Sequence, residues 1–369
     1  MKTLLAVATI IGTVIGAGIL GMPYAISVAG FIPGVILTII IAFAMTMLLL
    51  YLGEVVLRCK EVYQIPGLVR KYLGRKTYLL TLLMFILSIY GALISYVIGV
   101  SESLSTVLPG GQLLYMILFI ALMSLPVLKG VHLMDKVQLV LVGLLIGSLL
   151  FTLFLVPVNN FSNLSTMDLS RFFFPFGVIF FALTGYSVMP ELEQILLKEE
   201  RKFMPSVLIA MIVCTIIYLF FSGFFITAFN GSVQEVATET LTGNAMFIGK
   251  AIAVFGMTTS FMGLGVALSD MFKQDLKINK WWSWALTCLT PLLIAALFKP
   301  SFIQPIMISG AFTGTLIGFL IISLWFKARR VKGVKPAFKA PFGVPGAVIV
   351  SIILGLGIVM TTLDLLGLL

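Results

Sequence analysis

Charged side chains are scarce in this chain, making up 10% of its 369 residues against 60% hydrophobic ones, at a mean hydropathy of +1.16. A soluble domain is roughly a quarter charged, so there is too little polar side chain here to cover a water-facing globule. An ordinary soluble protein, a disordered chain and a disulfide-stapled secreted module are excluded together. Histidine occurs once, at His132, beside Met134 and Asp135 in a short polar link, which leaves no histidine-based metal site. The three cysteines (Cys59, Cys214 and Cys288) show no metal-ligand or CxxC spacing. Two of them sit in apolar runs, where a thiol behaves as a small hydrophobe. No metal and no cofactor are expected. Paired aspartates, a Ser/His pair and HExxH at membrane depth are also missing, so the chain does not read as an intramembrane enzyme.

Long apolar runs are what the chain has in quantity. They lie near 3–29, 32–56, 77–101, 113–128, 136–157, 172–190, 205–229, 245–269, 281–297, 302–326 and 345–367. A bilayer span takes about 20 residues. Backbone groups cannot go unpaired in hydrocarbon, and the alternation of barrel strands is missing, so the runs read as helices. The first, after Lys2, is too long for a signal-peptide core and lacks a small-x-small end, so it reads as a span. Placing the amino terminus inside puts all 24 Lys and Arg in the cytoplasm except Arg171, Lys250 and Lys299. The net charge of +10 then reflects basic clusters at 58–76 and 327–339 against an anionic inner leaflet, not nucleic acid. The expectation is an all-α, polytopic protein of the cytoplasmic membrane with 11 transmembrane helices, amino terminus inside and carboxyl terminus outside. The lipid bilayer is its partner, and no obligatory protein partner is evident.

Two spans are interrupted. In the first, Gly12, Gly16 and Gly18 fall within seven residues and Pro23 follows. Glycine costs about 1 kcal/mol in a helix interior. A break and close packing through small residues are both consistent with this pattern. The sixth carries Thr184, Gly185, Tyr186, Ser187 and Pro190 in its apolar zone. Interrupted helices in corresponding positions of two halves point to an inverted-repeat transporter with a midplane site. At a break, free N–H groups can face a carboxylate and free carbonyls a cation, which suits an amino acid zwitterion. Glu54, Glu102, Glu191, Glu193, Lys250, Asp270 and Asp364 all lie at or near span ends, so no ionised group is expected mid-membrane.

At these residues a resemblance enters. Gly12-Thr13-x-Ile15-Gly16-Ala17-Gly18-Ile19-Leu20-x-Met22-Pro23 resembles the first helix of the hydroxy and aromatic amino acid permeases. Thr259-Ser260-Phe261-x-Gly263 with Leu268-Ser269-Asp270 resembles their eighth helix. Pro291-Leu292-Leu293, Phe298, Pro300 and Phe302 through Gly310 resemble the ninth-to-tenth region. Gly185-Tyr186-Ser187-Val188-x-Pro190-Glu191, Tyr218 and Gly223 through Gly231 look nearer to the amino acid/auxin permeases. Both belong to the amino acid–polyamine–organocation superfamily. The resemblance implies a LeuT-like 5+5 inverted repeat: 1–157 as the first repeat, 172–326 as the second and 345–369 as an extra helix, with helices 1 and 6 discontinuous. It implies that Ile15, Gly16, Ala17, Gly18 and Ile19 bind the substrate carboxylate through backbone. Phe181, Ala182 and Thr184 would offer carbonyls to its amino group, and Tyr186 or Phe181 would shape the side-chain pocket.

The coupling ion is left open between H+ and Na+. Thr258, Thr259 and Ser260 form a hydroxyl cluster that suits a hard cation, and equally suits helix back-bonding. The superfamily's common sodium position adds the first helix, where Thr13 is a further candidate. Gly12 stands where sodium-coupled relatives carry an asparagine. The hydroxy and aromatic amino acid permeases couple mostly to protons, for which Glu54, Glu102 and Glu191 are the carriers the resemblance suggests. The expected function is secondary active, cation-coupled symport of a neutral, aromatic or hydroxy, amino acid. The alternative is a non-transporting amino acid sensor, which would be expected to carry a long cytoplasmic extension.

Overall fold

The computed structural model describes residues 2–59, 63–129, 147, 160–331 and 335–368. Among these residues the regular structure is helical throughout. The first apolar run forms α1 (Lys2–Val14) and α2 (Gly18–Ala29), bent by 62° at the intervening residues. Next come α3 (Phe31–Val56), the short α4 (Ile65–Leu73), α5 (Arg75–Ser105) and α6 (Gln112–Lys129). Two 3-10 turns (Phe161–Ser165 and Leu169–Arg171) lead to α7 (Phe176–Ala182), a further 3-10 turn (Tyr186–Val188) and α8 (Met189–Ile195). Then follow α9 (Phe203–Ala228), α10 (Asn244–Gln274) and α11 (Lys280–Phe298). The last apolar pair forms α12 (Ile303–Ile308), a π-helical stretch (Ser309–Gly314), α13 (Thr315–Arg330) and finally α14 (Gly343–Leu365).

Eight helices among the described residues are long and apolar enough to cross a bilayer, and the bent α1–α2 pair makes up to nine. They coincide with expected spans one to four and seven to eleven. The short fourth and ninth runs are full helices of 18 and 19 residues. The sixth run does not form one helix: seven-residue α7 starts after Pro175, and the chain leaves it at Ala182. The fifth run, 136–157, and His132 lie outside the described residues.

The outer surface is apolar in stripes. On α9, Ile209, Ile212, Ile216 and Phe220 are exposed, while Ala210, Met211, Cys214 and Tyr218 on the opposite side are buried. That helical spacing, with the greasy face outward, is the arrangement of a helix in contact with lipid. Inside, small residues let helices approach. A Cβ on Gly310, in the π-helical stretch, would stand 1.9 Å from the Gly177 carbonyl oxygen, so α7 crosses that stretch backbone to backbone. A π-helical turn commonly marks a place where function bends a helix.

Candidate site between two helix breaks

The break in the first span can be followed bond by bond. Ile15 N still donates to Ile11 O (2.7 Å), but Gly16 N turns to Val14 O (2.9 Å). Regular bonding resumes with Ile19 N to Gly16 O (3.3 Å) and Leu20 N to Ala17 O (3.1 Å). Ala17 N, freed by the interruption, donates to Ser260 Oγ on α10 at 3.3 Å. A Cβ on Gly16 would lie 3.3 Å from that same oxygen.

In the sixth span, Leu183 N closes α7 on Ile179 O (3.0 Å) and Thr184 N turns to Phe181 O (3.1 Å). Thr184 spends its hydroxyl on Phe180 O (2.9 Å). The chain then passes through Gly185 into the turn that starts at Tyr186, and Pro190 sits in the first turn of α8, where a missing N–H does no harm.

The two breaks touch. A Cβ on Gly18 would come 2.9 Å from Ala182 Cα, and one on Gly185 would come 2.8 Å from Val14 Cγ2. Between them stands Tyr218 of α9, wholly buried, whose hydroxyl lies 2.7 Å from Val14 O and 2.8 Å from Ala182 O. Those carbonyls belong to the two helix ends, and one hydroxyl hydrogen is shared between them. Tyr96 on α5, also buried, lies beside Ser260. Every polar atom at the breaks is a backbone group or a neutral hydroxyl. The N-terminus of α2 offers the positive end of its dipole, and the last carbonyls of α1 and α7 offer negative ends.

The residues expected at the site are thereby sorted. Ile15, Gly16, Ala17, Gly18 and Ile19 form or flank the first break, and Phe181, Ala182 and Thr184 the second. The buried Tyr186 packs edge-on to Phe85 (5.6 Å between ring centroids), beside Ser88 and Thr184. Of the hydroxyl cluster, Ser260 alone is seen to reach the break. Thr259 returns its hydroxyl to Gly256 O (2.8 Å), and Thr13 is exposed, bonded to Thr9 O (2.9 Å). Thr258 is half-buried beside them. Tyr96 is a site residue that sequence reasoning passed over, and Tyr218 was noticed only for its resemblance. A hydroxyl-bearing ring inside an otherwise apolar run was the available signal.

The carboxylates lie elsewhere. Glu54, fully buried near the end of α3, accepts from Trp325 Nε1 (2.8 Å), Ala340 N (2.9 Å) and Arg58 Nη2 (2.7 Å), with Arg329 Nε at 3.4 Å. Glu102 is exposed at the end of α5, near Lys250 and Glu239, which pair with each other and with Thr106 and Ser103. Glu191 is exposed on α8.

The tryptophan/tyrosine permease family matches residues 1–364. The chain belongs to that family. Among its relatives, tyrosine-specific transport system 1 of Haemophilus influenzae is 24% identical over 98% of this chain and 96% of its own length. Tyrosine-specific transport system 2 of the same organism is 28% identical over 89% and 88%. Glutamine transporter 2 of Aliivibrio fischeri is 24% identical over 84% of each. The permease is thus a multi-pass membrane transporter of amino acids and not an enzyme.

Proposed function

We propose that this permease is a secondary active transporter that carries a neutral, aromatic amino acid together with a cation across the cytoplasmic membrane by alternating access. The observation that carries the reading is the contact of two interrupted helices, whose backbone groups of both signs, released by the breaks, are met by the neutral hydroxyls of Ser260 and Tyr218, with no ionised side chain between them. A carboxylate would sit at the α2 N-terminus on the amides of Ala17 and Gly18. An ammonium would sit on the carbonyls that end α1 and α7. Phe85, Phe181 and Tyr186 beside the second break favour a flat side chain. The tyrosine relatives agree with that choice, and the glutamine relative makes glutamine the competitor to include.

In this reading the chain has eleven spans, with 1–157 and 172–326 as inverted repeats, 345–369 as the extra helix, and the amino terminus in the cytoplasm. The repeats rock around the paired breaks. The driving ion is H+ or Na+, with Ser260, Thr259, Thr258 and Thr13 as the sodium candidates. Counterflow of labelled tyrosine, tryptophan, serine and glutamine in proteoliposomes, with sodium and pH varied separately, tests both parts. Exchange of tyrosine or tryptophan in preference to glutamine is expected. A protein that exchanges none of the four overturns the reading.

A further inference from the structure

Several carboxylates in the described residues, buried or exposed, have visible donors. Glu54 meets two guanidinium groups, and Glu239 meets Lys250. Glu235 accepts from Ile303 N (2.9 Å), and Asp275 accepts from the Tyr78 hydroxyl (2.7 Å). Glu193 is different. It is half-buried on α8, eight residues beyond Gly185, and its Oε2 is shut off from solvent with no hydrogen-bond partner among the described residues. Buried polar atoms without a partner are rare and call for an explanation.

An ionised carboxylate cannot leave an oxygen dry and unpaired without a large loss of solvation, whereas a neutral acid can. Among the described residues, the ionisable groups on the surrounding elements offer no compensation. Glu200, in the next turn of chain, opposes it with a second carboxylate. Lys2 on α1 gives its ammonium to Leu197 O (2.9 Å). Glu54 on α3 is occupied with Arg58 and Arg329. Glu193 also has a mechanical connection to the site: α8 leads directly out of the second break and packs against α1 and α3.

We infer that Glu193 carries the coupling proton. Its carboxylate takes one proton from the aqueous phase on one side, stays a neutral acid while the amino acid is bound, and releases that proton on the other side. One O–H bond forms and the same one breaks in each cycle, so no further reactant is needed. The inference rests on the permease reading and makes it specific.

The test uses the full chain in proteoliposomes with labelled tyrosine and a pH-sensitive dye inside. Wild-type protein should accumulate tyrosine under an imposed pH gradient and acidify the lumen as it does so. Glu193→Gln should keep tyrosine exchange within about threefold, yet lose gradient-driven accumulation and lumen acidification by about tenfold or more. Its exchange rate should be flat across pH 6–8, where the wild type varies. If the Gln variant also loses exchange, Glu193→Asp decides: an accumulation profile displaced in pH supports the assignment, and an unchanged one overturns it. Wild-type-level accumulation by Glu193→Gln, or accumulation by the wild type that follows sodium and ignores pH, overturns it too. Failure of the wild type to exchange any amino acid would instead bring down the permease reading.

Discussion

One hydroxyl, on Tyr218, ties together the two helix ends that form the site. Tyr218→Phe keeps the ring and its packing but leaves Val14 O without that donor and Ala182 O likewise. Stranding a buried acceptor costs about 1–3 kcal/mol. The melting temperature in detergent should fall, and the KM for uptake should rise more than the maximal rate drops. Gly18→Leu is expected to abolish uptake while the protein still inserts, because even a Cβ there would press on Ala182 Cα; wild-type uptake would refute that. At this scale the sequence was informative about glycine and silent about the bridging role of Tyr218. Glycines mark the breaks because three in seven residues weaken a helix whatever surrounds it. Tyr218 lies 204 residues from Val14 in sequence, and in an apolar run a tyrosine facing lipid is spelled the same way as one that bridges two carbonyls.

Among the elements, the broken sixth span has the most demanding neighbour. α7 is only seven residues long and crosses the π-helical stretch with Gly177 and Gly310 in backbone contact. Gly310→Ala should push the two apart and lower the yield of folded protein, seen as loss of a monodisperse peak in size-exclusion chromatography. A folded, fully active variant would show that the crossing tolerates a methyl group. Span-length helices were readable from apolar runs with charge or proline at their ends at nine of the eleven runs, counting the bent first pair as one and including the short runs at 113–128 and 281–297. Within the 172–190 run the regular helix starts a few residues in. Arg171 closes a 3-10 turn and Pro175 precedes α7, so regular helix begins only at Phe176. The π-helical stretch was not singled out, although Ser309 to Gly314 is richer in small and hydroxyl residues than its apolar flanks, because such residues also fit an ordinary helix packed closely against a neighbour.

For the molecule as a whole, Glu54 joins α3, α13 and the segment that runs into α14. Removing one partner from a buried charge cluster costs about 3–5 kcal/mol. Glu54→Ala, which leaves Arg58 and Arg329 facing each other, should lose stability of that order in thermal melts. The orientation read from the basic residues makes a separate prediction. Cys59, Cys214 and Cys288 are all buried, so background labelling is low. A membrane-impermeant thiol reagent should reach Lys299→Cys in intact cells, and reach Lys277→Cys only after permeabilisation; the reverse pattern would invert the topology.

The shared hydrogen on Tyr218 limits how the molecule can move. Parting Val14 from Ala182 by even an ångström breaks one of the two bonds, and while Val14 O keeps the Gly16 amide, Ala182 O would lose its one donor among the described residues. Any stroke of the cycle must therefore carry both helix stumps as one piece, or bring a new donor to the gap at the instant it opens.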